Sequence, residues 1–99
     1  MNVLFKALAH PLRREIIEML RPGPLTSGQI AASFAESWPT ITGHLAVLRE
    51  AGLVDSERDG TQIRYRLVIS AIEEGLAFLL QLTSETNVVA RPRERKFAR

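Results

Sequence analysis

The apolar residues of this chain keep a helical period as far as Gly52 and change to a period of two immediately beyond it. Few folds accommodate that switch in so short a chain. In the stretch from Ser37 to Ala51 the row Ile41, Leu45, Leu48 recurs at spacings of three and four. From Leu53, the runs LVDSER and TQIRYRLVI flank Asp59-Gly60, a dipeptide that favours a tight hairpin turn. Ile63, Tyr65 and Leu67 fall on one face of the second run, and Gln62, Arg64 and Arg66 on the other. Gly52 can take the left-handed conformation that ends a helix.

Upstream, the signals are those of four helices. Val3 to Ala9 is a short apolar helix ended by His10-Pro11, because the residue before a proline is pushed out of the helical region while Pro11 suits a new first turn. The segment PLRREIIEMLR follows, with Leu12, Ile16, Ile17 and Leu20 at helical spacing, and Pro22-Gly23-Pro24 stops it. Thr26 is the N-cap of SGQIAASF, whose Ile30, Ala31 and Phe34 face inward. Ala35-Glu36 makes a turn, and Ser37 caps the next helix with Pro39 in its first turn.

Downstream, Ser70-Ala-Ile-Glu73 has the spacing of a capping box and opens a last helix. That helix carries two apolar stripes. Ile72, Leu76, Leu79 and Leu80 form the stripe expected to dock on the domain, and Ala71, Gly75, Phe78 and Leu82 form a second one that requires a partner. A chain of 99 residues gains disproportionately from such a partner, since small domains bury a smaller fraction of their surface than large ones. One domain, 1–84, is therefore expected, followed by a basic tail, 85–99.

The location of charge limits what the pI of about 9.7 implies. Residues 1–84 carry eight Lys or Arg against nine Asp or Glu, net −1, whereas residues 85–99 carry five against two, net +3. The basicity belongs to the tail, through Arg91, Arg93, Arg95, Lys96 and Arg99, and a basic tail adds nonspecific affinity for nucleic acid or simply solubility. The absence of cysteine removes disulfides, thiolate metal sites and thiol redox chemistry. No apolar run approaches the roughly 20 residues that span a bilayer, and the N-terminus lacks the pattern of a secretion signal, so a cytoplasmic protein without membrane contact is expected.

The order of three helices, turn, helix, hairpin and helix is that of a mainly α winged helix-turn-helix (α-α-α-α-β-β-α). The segments ALAHPLRREIIEML, LTSGQIAASFAESWPTITGHLAVLREAGLV and RDGTQIRYRL resemble the ArsR/SmtB family of bacterial repressors, and most of all its small autorepressor-like members without metal ligands. The resemblance covers about residues 3–84. It implies a homodimer paired through the first and last helices, with Val3, Leu4, Leu8, Ala71, Gly75, Phe78 and Leu82 at the interface. It also implies sequence-specific binding of double-stranded DNA, by a regulator that represses by occluding a promoter with a near-palindromic operator. A protein-binding winged helix, contacting a partner through Trp38 and Val47, is the alternative.

Position by position, the resemblance assigns base reading to Trp38, Pro39, Thr40, Thr42, Gly43 and His44. Family members usually carry polar residues where Trp38 and Pro39 stand, and often one at Gly43. Thr40, Thr42 and His44 retain hydrogen-bonding groups, and a threonine methyl can meet a thymine methyl. Trp38 has two readings, a flat face on DNA or packing along the turn, and His44 is either a DNA contact or a packing residue on the helix flank. Gly43 either admits a close backbone approach or is a neutral exposed position. Arg58, Arg64 and Arg66 of the wing are phosphate or minor-groove contacts, or the solvated face that any hairpin needs. Arg13 and Arg14 stand in a first turn, where the helix dipole disfavours cations.

The residues present supply no metal site and imply no cofactor. His10 and His44 are the two imidazoles, and neither has a carboxylate at ligand spacing. His10, beside Pro11, reads as structural. The chain also lacks a phosphate-binding glycine loop, a nucleophile with a recognisable base and a separated carboxylate pair, so an enzyme is not expected. Nothing in the sequence identifies an effector.

Overall fold

The computed structural model describes residues 2–89, with side chains from Asn2 to Thr83. The chain runs α1 (Asn2–Leu8), α2 (Pro11–Leu20), β1 (Leu25–Thr26), α3 (Ser27–Ala31), α4 (Trp38–Glu50), β2 (Val54–Asp59), β3 (Gln62–Leu67) and α5 (Ile69–Val89). The three strands form an antiparallel sheet in the order β1-β3-β2. The expected hairpin thus gains a third strand, in which Leu25 pairs with Tyr65 and Thr26 with Arg64. Two residues between Pro24 and a helix are too few to show a period of two, so this strand leaves no pattern in the sequence.

Local chemistry explains where the helices begin and end. His10 is extended, with ψ at 127°, and its Nδ1 accepts the Leu12 backbone N–H at 3.1 Å, which makes it the N-cap of α2. Thr26 does more than cap α3. Its hydroxyl accepts from Gln29 N at 3.1 Å while Gln29 Oε1 accepts from Thr26 N at 2.9 Å, a reciprocal capping box. The C-terminus of α4 closes through Leu53 N on Leu48 O and Gly52 N on Arg49 O, each 3.0 Å, with Gly52 at φ 78°. This is the Schellman arrangement, and it places a positive φ where glycine is free of a Cβ clash.

Two boundaries differ from expectation. The last helix begins at Ile69, so Ser70 lies inside its first turn instead of capping it. At the hairpin tip Asp59 pairs with Gln62, which makes Gly60-Thr61 the two-residue loop, one position later than Asp59-Gly60. Gly60 has φ 67°, a conformation that glycine adopts without a Cβ clash.

The core is built from one side of each element. Ile16, Leu20, Ile30, Ile41, Leu45, Leu48, Leu53 and Val54 are almost fully buried, with Tyr65 from β3 and Leu4 and Ala7 from α1 beside them. Ala31 and Phe34 are half-buried against this cluster. α4 is thereby held by Ile41, Leu45 and Leu48, and its opposite side is presented outward.

α5 packs differently from the expected division of stripes. Gly75 is buried under Leu4, whose Cδ2 lies 3.2 Å from the place a Cβ on Gly75 would occupy. Phe78 meets Phe5 with ring centroids 6.1 Å apart. Ala71, Ile72 and Gly75 are therefore the docking residues, while Leu76, Leu79 and Leu80 are exposed. The choice follows from Gly75, whose missing side chain lets Leu4 close in; α5, with 21 residues against seven in α1, also reaches about 32 Å against about 10 Å at 1.5 Å per residue. Tail residues 90–99 lie outside the described residues. α5 itself continues past residue 84, the expected end of the domain.

Candidate nucleic-acid interface

α3, the turn at residues 32–37 and α4 form a helix-turn-helix whose second helix is anchored from three directions. Its core face sits on α2 and α3. Its N-terminus is capped by Ser37, whose hydroxyl accepts from Thr40 N at 3.4 Å. Its C-terminal turn is tied to the wing, because Arg49 Nη1 donates to Ser56 Oγ of β2 at 2.9 Å. This bond links α4 directly to the hairpin.

The expected base-reading residues all lie on α4, in unlike environments. Trp38, Pro39, Thr40 and Gly43 are exposed, and Thr42 and His44 are half-buried. Trp38 keeps 54% of its surface. Its ring edge comes within 3.9 Å of the Cβ position of Gly28, so the indole leans over the first turn of α3 and does not enter the core. A Cβ at Gly43 would meet nothing within 4 Å.

The three polar members of the set are engaged within the protein. Thr40 Oγ1 shares a hydrogen bond with Ser37 Oγ at 3.0 Å. The Thr42 hydroxyl donates back to the carbonyls of Trp38 and Pro39, at 3.1 and 3.0 Å. His44 stacks obliquely on His10, with centroids 4.4 Å apart, and its Nδ1 lies 3.3 Å from Arg13 Nη1. Burial, then His10, then Arg13 hold the His44 imidazole below its ordinary titration range, and Glu36 opposes them. The Thr42 hydroxyl is thus occupied by its own helix, and His44 is neutral at physiological pH.

Arg13 is a residue whose role the sequence left unresolved. Its Nε donates to Ala7 O at 2.7 Å and its Nη2 to Lys6 O at 3.3 Å, while Arg14 Nη1 donates to Leu8 O at 2.8 Å. Cations in the first turn of α2 thus serve the C-terminal carbonyls of α1, where the dipole favours them. The signal was present in the short Ala9-His10 connection, which brings the two helix ends together. Ala46 and Val47, both exposed on α4, were not assigned to the base-reading set and share its outward side.

The wing arginines are paired. Arg64 Nη2 lies 2.6 Å from Asp59 Oδ2, and Arg66 lies 3.8 Å from Asp55 and 3.7 Å from Glu57. Register explains this, since Asp55, Glu57 and Asp59 stand opposite Arg66, Arg64 and Gln62 on the same sheet face, so that Arg66 meets Asp55 directly and Glu57 diagonally and Arg64 meets Asp59 diagonally. Arg58 Nη1 donates to Gly60 O at 3.4 Å. These exposed pairs are each worth about 1 kcal/mol or less, so a phosphate can replace the carboxylate at small cost.

Among the described residues no group of three or more His, Asp or Glu side chains is placed to hold a metal ion, and no helix is long and apolar enough to cross a membrane.

A helix-turn-helix whose second helix is held outward, flanked by a three-stranded wing, defines a winged helix-turn-helix protein. A family model described as a helix-turn-helix domain matches residues 8–57. The transcriptional repressor SdpR of Bacillus subtilis is 34% identical over 85 residues, which span 86% of this chain and 94% of that protein. An ArsR-like transcriptional regulator from Rhodococcus sp. RHA1 superposes with a TM-score of 0.79 at 28% identity, covering 87% of this chain and 81% of that one. The homodimeric winged helix-turn-helix DNA-binding domain of a possible ArsR-family regulator from Mycobacterium bovis superposes with a TM-score of 0.68 at 27% identity, covering 88% and 80%. The chain belongs to the ArsR family of helix-turn-helix transcriptional regulators.

Proposed function

We propose that this chain is a homodimeric, cytoplasmic transcriptional repressor that binds a near-palindromic operator in double-stranded DNA and excludes polymerase from the promoter. The observation that carries the reading is the pairing of two uncovered surfaces on one rigid frame. One is the outward side of α4, fixed to the core by Ile41, Leu45 and Leu48. The other is the exposed apolar surface of α5 and α1, comprising Val3, Leu76, Phe78, Leu79, Leu80 and Leu82.

Large apolar side chains left exposed together along one helix point to an interaction site. Dimerisation through α1 and α5 would cover it and set two copies of α4 in successive major grooves, about 34 to 36 Å apart. Leu4 closes over Gly75 and so packs α1 on α5 beneath that interface, while Leu8 and Ala71 are half-buried against the core. Trp38, Pro39, Thr40, Thr42, Gly43 and His44 lie along the base-reading helix, and Arg58, Arg64 and Arg66 supply backbone contacts from the wing by exchanging carboxylates for phosphates.

Gel shifts with DNA from the chain's own promoter region test the reading. A shift that survives excess random competitor at moderate salt is expected. A dimer with no preference over competitor would overturn DNA-sequence recognition in favour of a protein-binding winged helix.

A further inference from the structure

The outward side of α4 is apolar on a helix whose core side is already apolar. Pro39, Gly43, Ala46 and Val47 are exposed on the arc opposite Ile41, Leu45 and Leu48, as 100° per residue requires. A helix apolar on both sides is normally buried on both, yet Val47 retains 39% of its surface. At the edges of this arc the hydroxyl of Thr40 is shared with Ser37 and that of Thr42 is turned back onto carbonyls of its own helix. The one charged residue of the arc, Glu50, stands at its C-terminal end.

We infer that this arc reads the C5 methyl groups of thymines in the major groove. The inference rests on the DNA-binding reading above and names the base feature that is recognised. The thymine methyl is the one apolar group in the major-groove pattern of base edges, and it is what an arc short of free donors can recognise. Val47, Ala46 and the Thr42 methyl supply the contacting carbons, and Pro39 extends them toward the helix N-terminus. Gly43, with open space around its Cα, lets the backbone approach the base edges closely.

The test first selects an operator from random DNA by binding to the full chain, then replaces its thymines by deoxyuridine one at a time. Deoxyuridine keeps every hydrogen-bonding group and lacks only the methyl. At thymines within the half-sites the affinity should fall about fourfold, the worth of one buried methyl. The same replacement in both half-sites should lower it about 15-fold, since separated sites add. The substitution Val47→Ala should weaken binding to the thymine operator and abolish the effect of deoxyuridine at one position while leaving it at others. Circular dichroism of this variant, altered at an exposed residue, verifies its fold.

An operator that outcompetes random DNA but keeps its affinity at every deoxyuridine replacement would overturn the inference and leave the DNA-binding reading standing. Failure to select any operator would overturn both, and competition with random DNA separates the two outcomes.

Discussion

Arg13 Nη1 lies 3.3 Å from Nδ1 of His44 and joins the first turn of α2 to the middle of α4. A guanidinium only donates, so Nδ1 of His44 accepts and the imidazole carries its proton on Nε2. The same arginine holds the C-terminal carbonyls of α1. One side chain therefore connects α1, the helix proposed for the subunit interface, with α4, the helix proposed to read DNA.

The surroundings of His44 impose a pH dependence. Burial first, then His10 and Arg13, lower the pKa of His44 below its ordinary 6.5. Between the folded and unfolded values the unfolded chain binds more protons, so stability rises with pH across that window. The contribution is fully present above about pH 6.5 and is lost as pH falls through the lowered folded value. Thermal melts at fixed chain concentration should show a falling Tm on acidification, and His44→Gln should flatten the profile. An unchanged profile in the variant would remove His44 from the account.

Two glycines should respond in opposite directions to alanine. At Gly52, φ is 78°, and an added Cβ should destabilise the fold by about 1 kcal/mol. Gly43→Ala fills open space within a helix and should stabilise it by about 1 kcal/mol. Urea titrations of the two variants measure both effects.

The capping box of α3 gives a third expectation. Thr26→Ala removes a buried hydroxyl that accepts from Gln29 N and should cost about 1 to 2 kcal/mol. Thr26→Ser, which keeps the acceptor, should recover most of the loss in the same titration.

Charge placed on the uncovered part of α5 should separate the subunits. Leu76 and Leu79 are 54% and 46% exposed, so Leu76→Glu with Leu79→Glu leaves the core of one subunit intact. Sedimentation equilibrium should report a monomer, circular dichroism an unchanged helical content, and operator affinity should fall. A stable dimer in this variant would exclude the α5 face as the interface.

In the wing, Arg64→Ala should weaken binding to all DNA sequences alike and lower the slope of log affinity against log salt by about one. A normal slope would leave Arg64 as the partner of Asp59 alone.

Much of this architecture was legible in the sequence because the period of the apolar residues changes where the structure changes. Ile41, Leu45 and Leu48 mark the core side of α4, and Gly52 its end, from spacing and backbone preference alone. The division of α5 into docking and partner stripes was not legible, since both stripes are equally apolar and the choice depends on Leu4 resting over Gly75. Nor was the state of the reading helix. Thr40, Thr42 and His44 look free in the sequence, but two are bonded to nearby helix atoms and the third to Arg13, 31 positions earlier. β1 was hidden by its brevity, and the wing pairs by a register that only the paired strands define.

The central claim is that a symmetric dimer presents two copies of α4 to a symmetric site. Binding-site selection from random DNA tests it most directly. The account predicts an enriched near-palindrome whose half-sites are separated by about one helical turn, 10 to 10.5 base pairs. Enrichment of a single asymmetric site, or of no sequence at all, would contradict it.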